Sequence, residues 1–166
     1  MTKKWIFALI LTAALIALVS ACSGEGDKER KAIRDYISFY TTKIDPAEDR
    51  LKDLITAVDS TETQDKIKPV LEMKTLIEDK VKMMKEYKAG SPITANLNNT
   101  ILILYQIRYR DLGKVANAIK AGVAPDLAIA LFKNNEQIDV YNGWCVDLID
   151  TCRKLDVDYA PLKIRK

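Results

Sequence analysis

The chain of 166 residues contains no histidine. This absence excludes Ser-His-Asp and Cys-His catalysis, zinc sites with histidine ligands, and di-iron bundles that use a Glu-x-x-His motif. Cysteine is also scarce, and the pair Cys145 and Cys152 does not have the spacing of a Cys-x-x-Cys redox or metal site. We therefore expect a protein that is not an enzyme and that holds no metal and no cofactor.

An excess of charge of one sign is missing as well. The chain has 26 Lys and Arg against 23 Asp and Glu, and Lys3 and Lys4 lie in an N-terminal segment that we expect to be removed. The remaining chain is then close to neutral, whereas nucleic-acid-binding domains carry a strongly basic surface. We therefore expect no nucleic-acid partner.

The third feature that the sequence lacks is a sustained alternation of apolar and polar residues, which is the pattern of half-buried strands. Apolar residues instead recur every three or four residues over four long stretches, which predicts an all-α domain over residues 28–156. Short loops favour antiparallel neighbours, so the expected architecture is an up-down-up-down four-helix bundle of long helices. The alternative is an elongated helical hairpin, a coiled coil that completes its core as a homodimer.

The first predicted helix begins near Lys28, and its apolar stripe continues past Pro46. Because the stripe keeps its phase there, the sequence favours one kinked helix over two separate helices. The stripe consists of Ile33, Tyr36, Tyr40, Ile44, Ala47, Leu51, Leu54 and Val58. The second helix is predicted over residues 64–88, with Ile67, Val70, Leu71, Ile77, Val81 and Met84 directed inward.

The third helix is predicted to begin at Ser91-Pro92, a capping residue followed by proline, and to end at Ala121-Gly122.

The fourth helix is predicted to run without a break from Ala124-Pro125 to Leu155, with Asn142-Gly143 as a weak point. Its expected inward residues are Leu127, Leu131, Ile138, Tyr141, Cys145, Leu148, Cys152 and Leu155. On one helix, the two cysteines are about 10.5 Å apart along the axis, which predicts two buried thiols without a bridge.

Arg108 is the charged residue in the middle of the third stripe, between Leu104 and Leu112. Two interpretations are open. The side chain extends from the edge of the core into water, or it pairs with a carboxylate of another helix and acts as a buried polar residue that sets helix register. Asp147 and Asp150 are the candidate partners for the second interpretation.

The N-terminus carries the most specific signal in the sequence. A positive segment that contains Lys3 and Lys4 precedes an apolar run from Trp5 to Val19, which is the pattern of a signal peptide. Val19-Ser20-Ala21-Cys22 then resembles the lipobox of bacterial lipoproteins, an aliphatic residue and two small residues before a cysteine. The resemblance implies that residues 1–21 are removed and that Cys22 carries the lipid. Residues 22–27 then form a short tether, and residues 157–166 a C-terminal tail.

The same resemblance implies a location in the cell envelope, with the membrane contacted through the lipid on Cys22. Because Ser23 and not Asp follows the cysteine, the family pattern indicates the periplasmic face of the outer membrane in a diderm organism. Otherwise it indicates the outer face of the plasma membrane. In plan, the chain resembles small helical lipoproteins such as pilotins, exclusion proteins and immunity proteins, which implies an unidentified envelope protein as partner. The alternatives are a carrier of a small hydrophobic ligand between the helices and an envelope hydrolase.

The lipobox predicts the behaviour of one substitution. Cys22→Ala is expected to abolish acyl labelling and signal cleavage together, because the thiol is the group that receives the lipid. The measurement is metabolic labelling with a fatty acid, combined with the size of the mature chain and with the unaltered protein as control. Labelling of the Cys22→Ala chain would contradict the assignment.

Overall fold

The computed structural model describes residues 25–60, 67–132 and 135–160. These residues form five helices and contain no strand, so the all-α prediction is confirmed for them. Helix α1 covers residues 25–60 and includes a π-helical turn, Tyr40–Ile44, before the α-helical segment Asp45–Ser60. The others are α2 (Ile67–Glu86), α3 (Pro92–Lys120), α4 (Pro125–Ile129) and α5 (Asn135–Leu155). Cys22 lies outside the described residues.

Helix α1 passes through Pro46 without interruption, as the phase of its stripe predicts. Proline lacks an N–H group, and its ring clashes with the carbonyl four residues earlier in a regular helix. The π turn immediately before Pro46, in which the Asp45 N–H reaches the carbonyl of Tyr40, widens the helix at that point. All eight predicted stripe residues of α1 are buried.

Helices α2 and α3 pack side by side in opposite directions. Near their short connection, Asn98 Nδ2 donates to the carbonyl of Met84 at 2.9 Å. Farther along, the Lys74 ammonium lies 4.9 Å from the ring centre of Tyr109. Residues that are earlier on α2 therefore lie beside residues that are later on α3, which defines an antiparallel pair.

Helices α1 and α5 are also antiparallel. The Trp144 indole N–H donates to the Tyr36 hydroxyl at 3.0 Å, and the Trp144 ring lies 4.5 Å from that of Tyr40. Close to residue 25, Arg30 Nε donates to the carbonyl of Leu155 at 2.9 Å. The beginning of α1 and the end of α5 thus lie at the same end of the molecule.

Helix α3 has the predicted boundaries at both ends. Ser91 and Thr94 form a reciprocal capping box, and Pro92 occupies the first turn. At the other end Gly122 has φ of +84°, and the N–H of Val123 bonds to the carbonyl of Ala118. This is a Schellman motif, in which glycine supplies the left-handed conformation that ends the helix.

The prediction of one unbroken fourth helix is wrong. The helix α4 ends at Ile129, and α5 begins at Asn135, whereas Asn142-Gly143 lies within α5. Because the phase changes between the two helices, three residues that were expected inside are exposed. They are Leu127, Leu131 and Ile138. The core side of these helices instead consists of Pro125, Ala128, Ile129, Phe132, Gln137, Tyr141, Trp144, Cys145, Leu148 and Cys152.

Smaller differences concern single positions and the ends of the domain. On α2, Leu71 is exposed and Met73 is buried in its place, because the core face lies on Val70, Met73 and Ile77.

Residues 25–27, expected in the tether, already belong to α1. Val157, expected in the tail, packs into the core, while residues 161–166 lie outside the described part.

Two glycines, one inside helix α5 and one that follows the end of helix α3, provide a test of the helix boundaries. Gly143 lies inside α5, and an added Cβ would meet nothing within 4 Å. We expect Gly143→Ala to raise the free energy of unfolding by about 0.5–1 kcal/mol, since alanine favours the helix. Gly122→Ala is expected to lower it by about 1–2 kcal/mol, because alanine resists positive φ. Urea unfolding measures both changes, and equal effects would contradict the helix boundaries.

Candidate functional site

Arg108 forms a buried ion pair between α3 and α1. Its Nη1 donates to Glu48 Oε1, and the Tyr105 hydroxyl donates to the same oxygen at 2.6 Å. The Arg108 side chain is only 15% exposed and that of Glu48 only 7%. Arg108 is therefore one member of a pair that joins two helices, but its partner is Glu48 and not Asp147 or Asp150. Whether it sets the helix register stays a prediction.

The protonation of this cluster follows from its burial. Burial raises the pKa of the Tyr105 hydroxyl well above its ordinary value, and the nearby Glu48 charge raises it further. Burial alone would lower the pKa of Arg108, but the Glu48 carboxylate more than offsets this, so its pKa is raised. Both groups therefore stay protonated near neutral pH and donate to Glu48.

Glu48 carries a signal in the sequence that went unused. It follows Ile44 by four residues and precedes Leu51 by three, so it lies on the apolar stripe of α1. The same reasoning that identifies Arg108 on its own stripe identifies Glu48. Asp147 and Asp150 instead line an open groove between α5 and α3.

A second buried carboxylate lies farther along α3. Asp111 is fully buried and accepts hydrogen bonds from Arg110 at 2.9 Å, Lys114 at 3.0 Å and Gln137 at 3.2 Å. The Gln137 amide also donates to the carbonyl of Phe132 at 2.6 Å. This network joins the turn after α4 to α3 and α5. Sequence analysis missed it because the inward position was assigned to Ile138 and not to Gln137.

Exposed apolar side chains are frequent in the stretch of sequence that contains Phe132 and Gln137 of this network. Among the described residues, eight large hydrophobic side chains are exposed, and four of them fall within residues 123–138. We call these four, Val123, Leu127, Leu131 and Ile138, the distal patch. Leu127 is 66% exposed, although leucine is normally among the buried residue types. Where exposed apolar side chains form one contiguous surface, that surface is typical of an interaction site.

Helix α4 has a buried face and an exposed face. Pro125, Ala128 and Ile129 are buried against the core, while Asp126 and Leu127 are exposed. The exposed face therefore carries one charged side chain and one large apolar side chain.

The distal patch lies far from the beginning of α1. Helix α4 contacts the segment Asp45–Ser60 and α3, and it precedes the first turn of α5. The beginning of α1 lies at the other end, where Arg30 donates to the carbonyl of Leu155. Helix α5 has 21 residues, which separate the two ends by roughly 30 Å at 1.5 Å per residue.

Other surfaces of the domain have a different character. An open groove of about 690 Å³ between α2 and α3 is lined by Val81 and Tyr109 and by several charged side chains, such as Lys82 and Lys85.

Cys145 and Cys152 are buried and free, as the sequence predicts. Burial raises the pKa of the Cys152 thiol to about 11 and also raises that of Cys145, so both are poor nucleophiles near neutral pH.

The ion pair gives a quantitative prediction. Arg108→Met is expected to lower the free energy of unfolding by about 3–5 kcal/mol, because the buried Glu48 loses its counter-charge. Glu48→Leu has an effect of similar size, and the double variant is expected to lose much less than the sum. Urea unfolding of the four proteins measures this coupling. The exposed pair Arg50 and Glu72 serves as control, with an expected coupling below about 1 kcal/mol, and an additive result for Arg108 and Glu48 would contradict the pairing.

The chain was compared with protein-family models, with curated proteins and with solved structures, and no match was found. Within the described residues, no three potential metal ligands among His, Cys, Asp and Glu lie together. Nor does any helix of that part have the length and apolar character needed to cross a membrane.

Proposed function

We propose that this chain is a bacterial lipoprotein, anchored through Cys22, whose helical domain binds a protein partner in the cell envelope and performs no catalysis. The lipobox pattern at residues 19–22 supports the anchor. A lipid on Cys22 would hold the beginning of α1 close to a membrane, because residue 25 is already helical.

The observation that carries the binding function is the distal patch. Its aliphatic side chains lie at the end of the domain away from residue 25, so a lipid at Cys22 would leave them directed away from the anchoring membrane. Exposing Leu127 and Leu131 to water is unfavourable by about 25 cal/mol per Å² of apolar surface, and covering them with a partner recovers that free energy. A protein surface that covers this patch is therefore favoured.

We include in the proposal the finer architecture, an up-down-up-down bundle of the four long helices α1, α2, α3 and α5. Antiparallel contacts support it for α2 with α3 and for α1 with α5. The contact of Gln137, early in α5, with Asp111, late in α3, supports a third antiparallel pair. In this arrangement α4 covers one end of the bundle.

The proposed binding function predicts the effect of a charge placed in the patch. Leu127→Asp is expected to reduce by at least tenfold the complex recovered after a general amine-reactive crosslinker is applied to producing cells, because a buried carboxylate opposes docking. Leu71→Asp, at a 46% exposed leucine of α2, is the matched control and should leave the complex intact. Circular dichroism and urea unfolding confirm that both variants fold. Equal recovery from the two variants would contradict binding through the patch.

A further inference from the structure

We infer that two copies of this chain associate through α3 as a parallel, symmetric homodimer. The inference rests on the proposed function for its membrane anchor and adds a contact that the proposed function does not require. Residues 91–107 contain no Asp, Glu, Lys or Arg, whereas the outward face of a surface helix normally carries charged side chains. The exposed residues of α3 in this range include four that we call the α3 stripe, Asn96, Asn99, Ile103 and Gln106.

The α3 stripe lies on one side of the helix. Its residues are spaced by three, four and three positions, and α3 is α-helical throughout Pro92–Lys120, so helical periodicity brings them onto one face. An open groove flanks the stripe on each side. Gln106 borders the groove toward α2, and Asn96 borders the groove toward α5. The stripe is therefore the crest of a ridge that a second helix can approach.

An identical stripe matches the chemistry of this one. In a symmetric pair the same residue of each copy meets its counterpart near the axis, so a charged stripe would repel itself. The α3 stripe carries no charge, and its amide side chains both donate and accept hydrogen bonds. Ile103, at 50% exposure, supplies an apolar contact between the amides. Asparagine within such a helical seam fixes the register of two parallel helices.

The positions of the flanking charges along α3 follow from two hydrogen bonds. Asn98 donates to the carbonyl of Met84 on α2, and Gln137 on α5 donates to Asp111. In the bundle proposed above, α2 and α5 both run antiparallel to α3, and each helix rises about 1.5 Å per residue. Counting residues from these two contacts therefore gives the height of each charged residue along the axis of α3.

Cations on one side of the ridge lie at the same heights as carboxylates on the other side. Lys82 of α2 and Asp147 of α5 both lie within about one residue of the height of Ile101. Lys85 and Asp150 both lie about one turn nearer the beginning of α3. All four side chains are exposed, and they line the two grooves that flank the stripe.

A two-fold axis parallel to α3 brings these unlike charges together. Such an axis places the α2 side of one copy opposite the α5 side of the other and leaves every height unchanged. Lys82 and Lys85 then face Asp147 and Asp150 of the second copy, and symmetry forms the same contacts again. An antiparallel pair would instead place α2 opposite α2 and lose them. The charges therefore favour the parallel dimer.

The charges near the beginning of α3 agree with this arrangement. Glu86, in the last turn of α2, comes opposite the end of α5 that carries Lys154. Asp150 also has Arg153 of its own helix 3.8 Å away, but an exposed pair at this distance is weak and does not prevent a second contact.

The charges farther along α3 do not oppose the contact. Glu78 and Asp79 of α2 lie at the height of Asn142-Gly143, which is uncharged. Arg110, one turn beyond the stripe, already forms ion pairs with Asp111 and with Glu136. Its repulsion of the same residue in a second copy is therefore reduced.

The small size of this surface explains the need for the anchor. The stripe is about 15 Å long from Asn96 to Gln106, and the flanking rows of charge extend the width to about 20 Å. A surface of roughly 300–500 Å² is below the 800 Å² or so per partner of a stable interface. Lipids on Cys22 would hold both copies in one membrane and raise their effective concentration. A parallel pair also places both anchors at the same end.

The experiment is disulfide crosslinking of the full chain in the cells that produce it, with copper phenanthroline as the oxidant. Ile103→Cys and Asn96→Cys are each expected to give a covalent dimer, because both positions lie near the axis of a parallel pair. Leu71→Cys, at a 46% exposed position of α2, is the matched control and should give at least about fivefold less. Cys145 and Cys152 are buried, and the unaltered chain measures their background.

Charge substitutions test the symmetry of the contact. In a chain with Asn99→Cys, Ile103→Glu alone and Ile103→Lys alone should each lower the dimer yield at least about fivefold, because like charges then meet. Production of both variants in the same cells should restore the yield. Lys82→Glu should also lower the yield, and Asp147→Lys added to the same chain should restore it. Urea unfolding confirms that each variant folds.

A yield at position 103 no higher than at position 71 would overturn the inference. So would a dimer at only one of positions 103 and 96, or charge variants that fail to restore each other. Fatty-acid labelling of Cys22 in the same cells separates this failure from failure of the proposed function. If Cys22 is labelled and position 103 gives no dimer, only the inference is wrong. If Cys22 is unlabelled, the proposed anchor is wrong, and the absence of a dimer then shows that both are wrong.

Discussion

The constraint on which the rest of the structure depends is the continuity of the apolar stripe of α1 through Pro46. The apolar residues here recur every four residues, at Tyr36, Tyr40 and Ile44. In a regular α-helix, the spacing of residues on one face alternates between three and four. A π turn holds more residues per turn than an α-helix, so these spacings and the turn Tyr40–Ile44 agree. Because one helix continues past Pro46, Trp144 contacts its first half while Arg108 contacts Glu48 in its second half.

Two buried carboxylates then connect the helices at different levels of α3. Glu48 reaches α3 from α1 and accepts from Tyr105 and Arg108, while Asp111 belongs to α3 and accepts from Gln137 of α5. Sliding α3 by one turn along α1 would separate Glu48 from Tyr105 and Arg108, whereas Asp111 would keep Arg110 and Lys114 of its own helix. A buried charge without a partner is more costly than the loss of an apolar contact. The prediction is that charge pairing restricts the relative positions of these helices, whose aliphatic faces alone would tolerate several alignments.

The short helix α4, with five residues, differs from the other helices in its length. Its inward residues are buried against the core, and Gln137 joins the turn after α4 to Asp111. Leu127 and Leu131 are exposed and lie outside this core. Their exposure is the feature on which the proposed binding function rests.

The sequence by itself determined the all-α class, the eight core positions of α1, the boundaries of α3 and the burial of both cysteines. These properties depend on helical period and on local capping, which neighbouring residues specify. The partner of Arg108 and the break before α5 were decided by tertiary structure. Glu48 is sixty residues from Arg108 in sequence, and no local pattern encodes a pair at that separation. The residues from Leu127 to Ile138 fit one helical stripe, yet packing against α1 and α3 buries Ala128, Ile129 and Gln137 and leaves Leu127 exposed. The local sequence is compatible with two different sets of inward residues in this segment. Packing against the neighbouring helices decides which of the two sets is buried.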